Sequence, residues 1–446
     1  MPSDKVYVRT FGCQMNVYDT GKMYALLARD GWERAETPEE ATLILINTCS
    51  IREKAENKLH STLGEYRGLR KRGQQVRVGV TGCVAQQEGE AILRRYPDVD
   101  LVVGPDGVPH IRELVARAQA GERVLDTDFL ALAGYPFVPD VDPQASKLHT
   151  GFVTVQKGCD HKCTYCIVPS VRGAEVSRSA DEVVAEVEAL VAQGLKDITL
   201  IGQNVNGWGK GLPGDPRFGE LLLRVGAVSG LDRLHYTTSH PSEMGPDIYQ
   251  AHRQLPNLVP HLHLPVQSGN NRILKRMHRL YTREHYLDVV AALREARPDL
   301  VLGSDFIVGF PGETAAEFQQ TLDLLVEADI VMSYSFKYSE RPGTPAPRLP
   351  DAVPPEVAGQ RLTALQTLQR ERSLAWHRSL EGRVFPVLVE GPARHDEGVI
   401  AGRTPHGAMV NFPGSLEQLN QLALVRVTKG FTHSARGEQV GSADLR

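Results

Sequence analysis

The sequence has almost no surplus charge, no long apolar run and few cysteines. Its 446 residues carry a formal net charge of −4. Bulk electrostatics therefore gives no argument for nucleic-acid binding, and any such surface must be local. No apolar stretch approaches the length of a membrane span. The opening residues, MPSDKVYVRT, lack the apolar core of a secretory leader. The expectation is a cytoplasmic protein with no membrane association. The composition, 41% hydrophobic and 23% charged, is that of a globular chain. Its length suggests roughly two to four domains.

The six cysteines are Cys13, Cys49, Cys83, Cys159, Cys163 and Cys166. A reducing compartment argues against disulfides, which leaves metal binding, thiol chemistry or buried spectator residues. Three of them end β-branched apolar runs: KVYVRTFGC, ATLILINTC and VRVGVTGC. These cysteines lie 36 and 34 residues apart, about one strand–helix unit. A fourth run, VDLVVG, follows. Strand–helix alternation predicts a parallel sheet with covering helices. The carboxyl ends of its strands share one edge, where ligands bind, so three cysteines distant in sequence should meet there.

Proline and polar residues at 134–146 read as a linker. Six further strand–helix alternations follow, from FVTVQKG to VMSYSFKY. A full βα barrel has about eight units, so six predict a partial, laterally open barrel. A second proline-rich break at 341–355 leads into a helix at roughly 356–380. Short strands with glycine- and proline-bearing turns follow, a small all-β barrel. The expected fold class is α/β: an N-terminal parallel-sheet domain, a partial (β/α)6 TIM-like barrel and a small OB-like barrel. The divisions fall at 1–133, 134–146, 147–375 and 376–446.

The stretch KGCDHKCTYCIVP holds Cys159, Cys163 and Cys166. Three readings compete. His161 completes a Cys3His zinc set on paper, although zinc sites usually draw ligands from two separate knuckles. Cys163 and Cys166 form a CxxC pair, which leaves Cys159 without a role. The third reading is a cubane iron–sulfur cluster held by three thiolates, with one iron open, on the loop that leaves the first barrel strand. For Cys13, Cys49 and Cys83 the choice lies between small buried residues and a second cluster.

CxxxCxxC with Tyr165 before its last cysteine resembles the radical S-adenosylmethionine (SAM) enzymes. TFGCQMNVYDT, INTCSIREKAENK and TGCVAQQ resemble the N-terminal domain of the methylthiotransferases. GCDHKCTYCIVPSVRGAEVSR, LIGQNVNGWG, HLPVQSGNN, MHRLYTR, SDFIVGFPGET and YSERPGTPA resemble their radical SAM core, and the last unit resembles their TRAM domain. GCQMN, NTCSIREKA and GQNVN point to the tRNA-modifying subfamily rather than to the sibling that modifies a ribosomal-protein side chain. The pattern departs at Val17, where an acidic residue is expected.

The resemblance implies two 4Fe-4S clusters, one on Cys159, Cys163 and Cys166 that exchanges with SAM, and an auxiliary one on Cys13, Cys49 and Cys83. These six cysteines would carry catalysis through their clusters. It implies SAM cleavage to a 5′-deoxyadenosyl radical and sulfur insertion at C2 of isopentenyladenosine, position 37, 3′ of the anticodon. Near SAM it points to Tyr165, Arg178, Gln203 and Gln267. VGFPGE, at 308–313, is either an approach to the nucleoside or a plain turn. The implied partners are a tRNA anticodon stem-loop and an electron donor such as flavodoxin or ferredoxin, acting on a monomer. The target base must leave its stack. The last unit is the natural RNA-holding module, although its charge is nearly balanced. RGLRKRGQQVR, at 67–77, is more basic, and reads either as a phosphate contact or as a solvated face.

Overall fold

The computed structural model describes residues 4–50, 53–145, 148–394 and 396–442. Residues 51–52 of NTCSIREKA and the expected boundary at 146/147 lie outside the described residues. The first unit is one parallel sheet of six strands: β1 (Lys5–Phe11), β2 (Glu33–Arg34), β3 (Leu43–Thr48), β4 (Arg77–Thr81), β5 (Leu101–Val103) and β6 (Val124–Asp126). Their order is β2-β1-β3-β4-β5-β6. The sheet is covered by α1 (Gln14–Ala28), α2 (Glu53–Lys71), α3 (Cys83–Glu88), α4 (Glu90–Arg95) and α5 (Ile111–Gln119).

Every residue of β3 is buried, as a central parallel strand covered on both faces requires. The unit has two cores, one per face. Met23, Leu27, Leu114 and Val115 from α1 and α5 pack on Val6, Leu43, Leu45 and Val103. Leu59, Leu63, Tyr66, Val84 and Ile92 pack on Ile44, Ile46, Val78 and Val80. The four apolar runs are β1, β3, β4 and β5. β2 and β6 leave no apolar pattern, being short edge strands whose residues are polar or mixed.

The second unit begins with β7 (Gly151–Thr154), then a clip of β8 (Gln156–Lys157) and β9 (Val176–Ser177) around α6 (Val168–Arg172). The barrel continues through α7 (Ala180–Ala192), β10 (Asp197–Ile201), α8 (Phe218–Gly226), β11 (Arg233–Tyr236), α9 (Pro246–Gln254) and β12 (His261–His263). It ends with α10 (Asn271–Arg276), α11 (Arg283–Ala296), β13 (Val301–Val308), α12 (Ala315–Glu327) and β14 (Ile330–Lys337). Parallel sheets β11-β10-β7 and β12-β13-β14 join through a bridge between Leu234 and Leu258. β7 and β14 do not pair, so the barrel is laterally open, as six units predict. One core runs through it, from Val153 and Leu200 to Phe306 and Leu325.

Helix α13 (Pro355–Ser379) lies along β14, with Ser373 Oγ donating to the carbonyl of Val331 at 2.6 Å. It delivers the chain to a closed barrel of β15 (Val384–Pro392), β16 (Val399–Arg403), β17 (Met409–Pro413), β18 (Leu422–Gly430) and β19 (Ala435–Ser442). The polar segment ARGEQVGS hides β19 from a hydrophobic pattern, yet this strand closes the barrel between β17 and β18. Arg233 ties the two barrels together, donating to the carbonyls of Arg403 and Pro386, each at 2.7 Å.

The basic tract is largely neutralised within its own unit. Arg67 pairs with Asp98 at 2.8 Å, and Arg70 and Arg77 both pair with Asp100. The tract leads into the amino end of β4, opposite the cysteine edge. This pairing and placement favour the solvated-face reading.

Buried ion pairs join the first unit to the barrel. Lys22 Nζ on α1 lies 2.7 Å from Glu186 on α7, and Arg178 binds the same carboxylate. Lys157 on β8 meets Asp106 at 2.6 Å, and Arg172 on α6 meets Asp19 at 2.7 Å. All seven residues are buried. Removing one member of such a set leaves the others desolvated and unpaired. Glu186→Gln is therefore expected to cost about 3–5 kcal/mol, read as a lower urea midpoint. A midpoint equal to that of the parent contradicts this account of the interface.

Candidate functional site

The cysteine edge of the sheet is built by close approach. Gly12 and Gly82 immediately precede Cys13 and Cys83, at φ of 133° and 89°. A Cβ at Gly12 would stand 2.4 Å from the Cβ of Cys49, and one at Gly82 would stand 2.4 Å from Asn47 Oδ1. Only glycine lets the ends of β1, β3 and β4 crowd this way. Asn16 and Asn47 lock the turn, with Asn16 Nδ2 donating to Asn47 Oδ1 at 2.9 Å and Asn47 Nδ2 donating to the carbonyl of Asn16 at 2.8 Å. Cys13, Cys49 and Cys83 thus share one edge.

That edge carries unused donors. The hydroxyls of Thr48, Ser50 and Thr81 are buried and have no hydrogen-bond partner among the described residues. Unpaired buried hydroxyls are costly and call for an explanation. Beside three thiols, donors of this kind suit a group rich in sulfur acceptors. Hydrogen bonding with Cys49, assisted by Arg172, lowers the Cys13 thiol to about 6. Burial raises that of Cys83, against the pull of Arg172.

The second trio sits on the loop after β8. Its backbone is held from several sides. Cys159 N donates to the carbonyl of Gly173 at 3.2 Å, and Thr164 N donates to Met277 at 3.0 Å. The carbonyl of Thr164 accepts from Ala346 N at 2.8 Å. Arg279 Nη1 lies 3.4 Å from Cys163 Sγ, and its Nε donates to the hydroxyl of Tyr281 at 2.9 Å. Burial pushes Cys159 up to about 12 and Cys166 up to about 11.

His161 does not join these thiols. Its Nε2 lies 3.0 Å from Glu243 Oε1, and its ring stacks on His240 at 3.9 Å. Among the described residues no group of three or more His, Cys, Asp or Glu side chains converges as a single ion needs. A cubane makes a different demand, because each thiolate bonds its own iron and the sulfurs stay apart. Three thiols on one loop with an arginine at one sulfur fit it. So do three thiols on one sheet edge with free hydroxyl donors and an arginine.

The two trios adjoin. Cys83 packs in one apolar cluster with Ile167 and Val171, and Ile167 directly follows Cys166. Arg172 Nε donates to Cys83 Sγ at 3.3 Å.

The other expected residues divide. Gln203, just past β10, accepts from the backbone N of Gly158 with its Oε1, and its Nε2 is buried without a partner among the described residues. Gln267 follows β12 at φ 72°, its backbone pinned to Asp305 at 2.9 Å and Ile307 at 3.0 Å. A left-handed non-glycine residue stores about 1–3 kcal/mol and is characteristic of functional sites. Thr238, past β11, is also left-handed, at φ 69°, and its carbonyl accepts from Val205 N at 3.2 Å. Tyr165 packs with Ile273, Met277, Phe310 and Ile307, which brings it to the VGFPGE stretch. Arg178 is elsewhere. It is 1% exposed and bound to Glu186 and the carbonyl of Glu182, inside the wall between the first unit and the barrel. Val17 is exposed on α1.

Sequence reasoning missed Arg172, Lys157, Asp106 and Asp19, and gave Arg279 no role, although MHRLYTR contains it. A lone basic or acidic residue carries no signal until its partner is known.

An open parallel half-barrel whose first strand runs into a CxxxCxxC loop defines a radical SAM enzyme. Family models agree along the chain: an uncharacterized protein family, UPF0004, at 5–104, the radical SAM superfamily at 153–325 and the TRAM domain at 378–440. Among solved structures, the chain is similar to the radical S-adenosylmethionine methyltransferase TsrM from Kitasatospora setae, determined with cobalamin and a [4Fe-4S] cluster. The TM-score is 0.58 at 15% identity, over 77% of this chain and 74% of that one. The cobalamin-dependent S-adenosylmethionine radical enzyme OxsB matches with a TM-score of 0.54 at 12% identity, over 83% of this chain and 56% of its own. These two show the fold. In sequence, the tRNA-2-methylthio-N(6)-dimethylallyladenosine synthases of two strains of Cereibacter sphaeroides are each 45% identical over 441 residues, 98% of this chain and 99% of theirs. The chain belongs to the tRNA-2-methylthio-N(6)-dimethylallyladenosine synthase family.

The thiol environments lead to a pH-dependent test on metal-free protein. Iodoacetamide footprinting read by mass spectrometry is expected to show Cys13 alkylation rising through about pH 6. Cys159 and Cys166 should stay slow until strongly alkaline pH, since their thiols are held near 12 and 11. Equal rates at neutral pH contradict the assignment of a thiolate to Cys13.

Proposed function

We propose that this protein converts N6-isopentenyladenosine at position 37 of tRNA into its 2-methylthio derivative, as a radical SAM methylthiotransferase. The observation that carries the reading is the adjacency of two cysteine trios on different units, in a chain 45% identical to synthases of that name over 98% of its length. Cys159, Cys163 and Cys166 would hold the cluster that exchanges with SAM, and Cys13, Cys49 and Cys83 the auxiliary one. When bound, these groups supply a low-potential electron, a hydrogen-abstracting radical and the sulfur to be inserted.

The rest is what the chain's own residues do. Three thiolates per site leave one ligand position to a non-protein group. Gln203 Nε2 offers an unpaired donor beside the loop, the kind of group that fixes the carboxylate or hydroxyl of a ligand. Tyr165, half-buried and backed edge-on by the buried Phe310, offers aromatic surface for a nucleoside. The left-handed backbones at Gln267 and Thr238 keep carbonyl and side chain aimed where a relaxed strand end would not. Cys49, Cys83 and Cys163 are buried and the other three cysteines are half-buried, which limits water at the two trios and favours radical chemistry over side reactions.

The divisions 1–133, 147–375 and 376–446 would serve as the auxiliary, radical and RNA-holding units. The closed barrel after α13 is suited to hold the stem-loop while the unpaired base is splayed into the site. Among the described residues no helix is long and apolar enough to cross a membrane. The reading adds a cytoplasmic setting, a monomer and a flavodoxin- or ferredoxin-type donor.

Three measurements test it. Anaerobically purified protein is expected to carry about eight iron and matching labile sulfide. Zinc without sulfide sinks the reading. Cys159, Cys163 and Cys166 changed to Ala should abolish SAM cleavage, whereas the same change at Cys13, Cys49 and Cys83 should stop sulfur insertion alone. In a strain lacking the gene, nucleoside mass spectrometry should find isopentenyladenosine without its methylthio derivative. Persistence of the derivative rules out the tRNA assignment.

A further inference from the structure

Arg172 belongs to the barrel, on the helix that follows Cys166, yet its head group lies at the other trio. It is 4% exposed. Nη2 donates to Asp19 Oδ2 at 2.7 Å and Nε donates to Cys83 Sγ at 3.3 Å. Asp19 sits on α1, the helix that Cys13 caps. One guanidinium therefore touches the helix of one auxiliary cysteine and the sulfur of another. Its backbone meanwhile continues the radical loop, where Ile167 and Val171 pack on Cys83.

We propose that Arg172 is a positioning residue that couples the two cysteine trios, setting the charge at the Cys83 sulfur from the helix that anchors the radical loop. The inference rests on the reading that Cys13, Cys49 and Cys83 hold a cluster.

The chemistry is direct. A buried cation beside a thiolate is little screened, and hydrogen bonds to sulfur and nearby charge set the reduction potential of an iron–sulfur group. Removing a positive charge destabilises the more negative, reduced state, so the potential must fall. The planar fork of arginine meets Asp19 with one nitrogen and Cys83 with another. A lysine presents a single point charge and cannot reproduce both contacts at once. Arg279 makes the equivalent contact at Cys163, 3.4 Å from the sulfur, but it comes from the same barrel. At Cys83 the arginine is supplied by the opposite unit.

The test uses the full chain with Cys159, Cys163 and Cys166 changed to Ala, so that any cluster left is the auxiliary one. Iron content, thermal midpoint and an EPR-monitored redox titration are compared for this parent, Arg172→Lys and Arg172→Met. The parent is expected to retain about four iron. Arg172→Met should keep that iron while its potential moves to more negative values, and Arg172→Lys should recover part of the shift. Iron retained with an unchanged potential in Arg172→Met overturns the inference and leaves the cluster reading standing. A parent without iron overturns the cluster reading and the inference with it. If Arg172→Met does not fold, Arg172→Lys decides, and a potential equal to that of the parent overturns the inference.

Discussion

The structure depends on a set of buried ion pairs between the sheet unit, from α1 and the turn after β5, and the barrel, from β8, α6 and α7. Lys22, Glu186 and Arg178 form one group, Lys157 and Asp106 a second, Arg172 and Asp19 a third. Burying charge is costly unless each group is paired with good geometry. The interface therefore tolerates little sliding, because any shift strands a charge. These pairs flank the cysteines. Lys157 lies just before Cys159, Arg172 follows Cys166, and Asp19 follows Cys13. The linker joins the same set: Tyr135 donates to Asp106 at 3.1 Å, and the carbonyl of Asp140 accepts from Lys22 at 2.6 Å. The relation between the two trios is fixed by these pairs together with the apolar contact of Cys83 with Ile167 and Val171.

Within that frame each trio meets the same difficulty. Thiolates bind iron, and burial disfavours thiolates. Cys159 and Cys166 are raised by burial, whereas Cys13 is lowered by Cys49 and Arg172. Each site offsets part of the penalty with one arginine at one sulfur, Arg279 at Cys163 and Arg172 at Cys83. Metal binding would complete the compensation, since binding and deprotonation are coupled.

Much of this was legible beforehand, for physical reasons. β3 and β4 are buried on both faces, so they read as unbroken apolar runs, and the cysteines at their ends are placed by topology. The six barrel strands were legible because each buries a side against helices. β2, β6 and β19 were not, being edge or closing strands whose pairing is made by backbone groups and leaves no apolar pattern. Tyr165 lies on the cysteine loop itself, and Gln203 accepts from the backbone N of Gly158 at the loop's entry. Arg178 could not be placed from sequence, because its position at the end of β9 fits both a mouth residue and a wall residue. Glu186, on the helix that follows at once, takes it into the wall. The tract at 67–77 looked free until Asp98 and Asp100 folded onto it.

By itself the sequence determined the local chemistry: three thiols within one short loop, three more at the ends of strands, and the strand–helix alternation that must bring strand ends to one edge. Those facts depend on spacing and periodicity, which the chain carries in order. Tertiary structure alone decided which charges pair, which arginine reaches which sulfur, and that Cys83 rests against the residue after Cys166. Such contacts join positions far apart in the chain. A charged side chain shows nothing of its partner until burial removes water as the alternative.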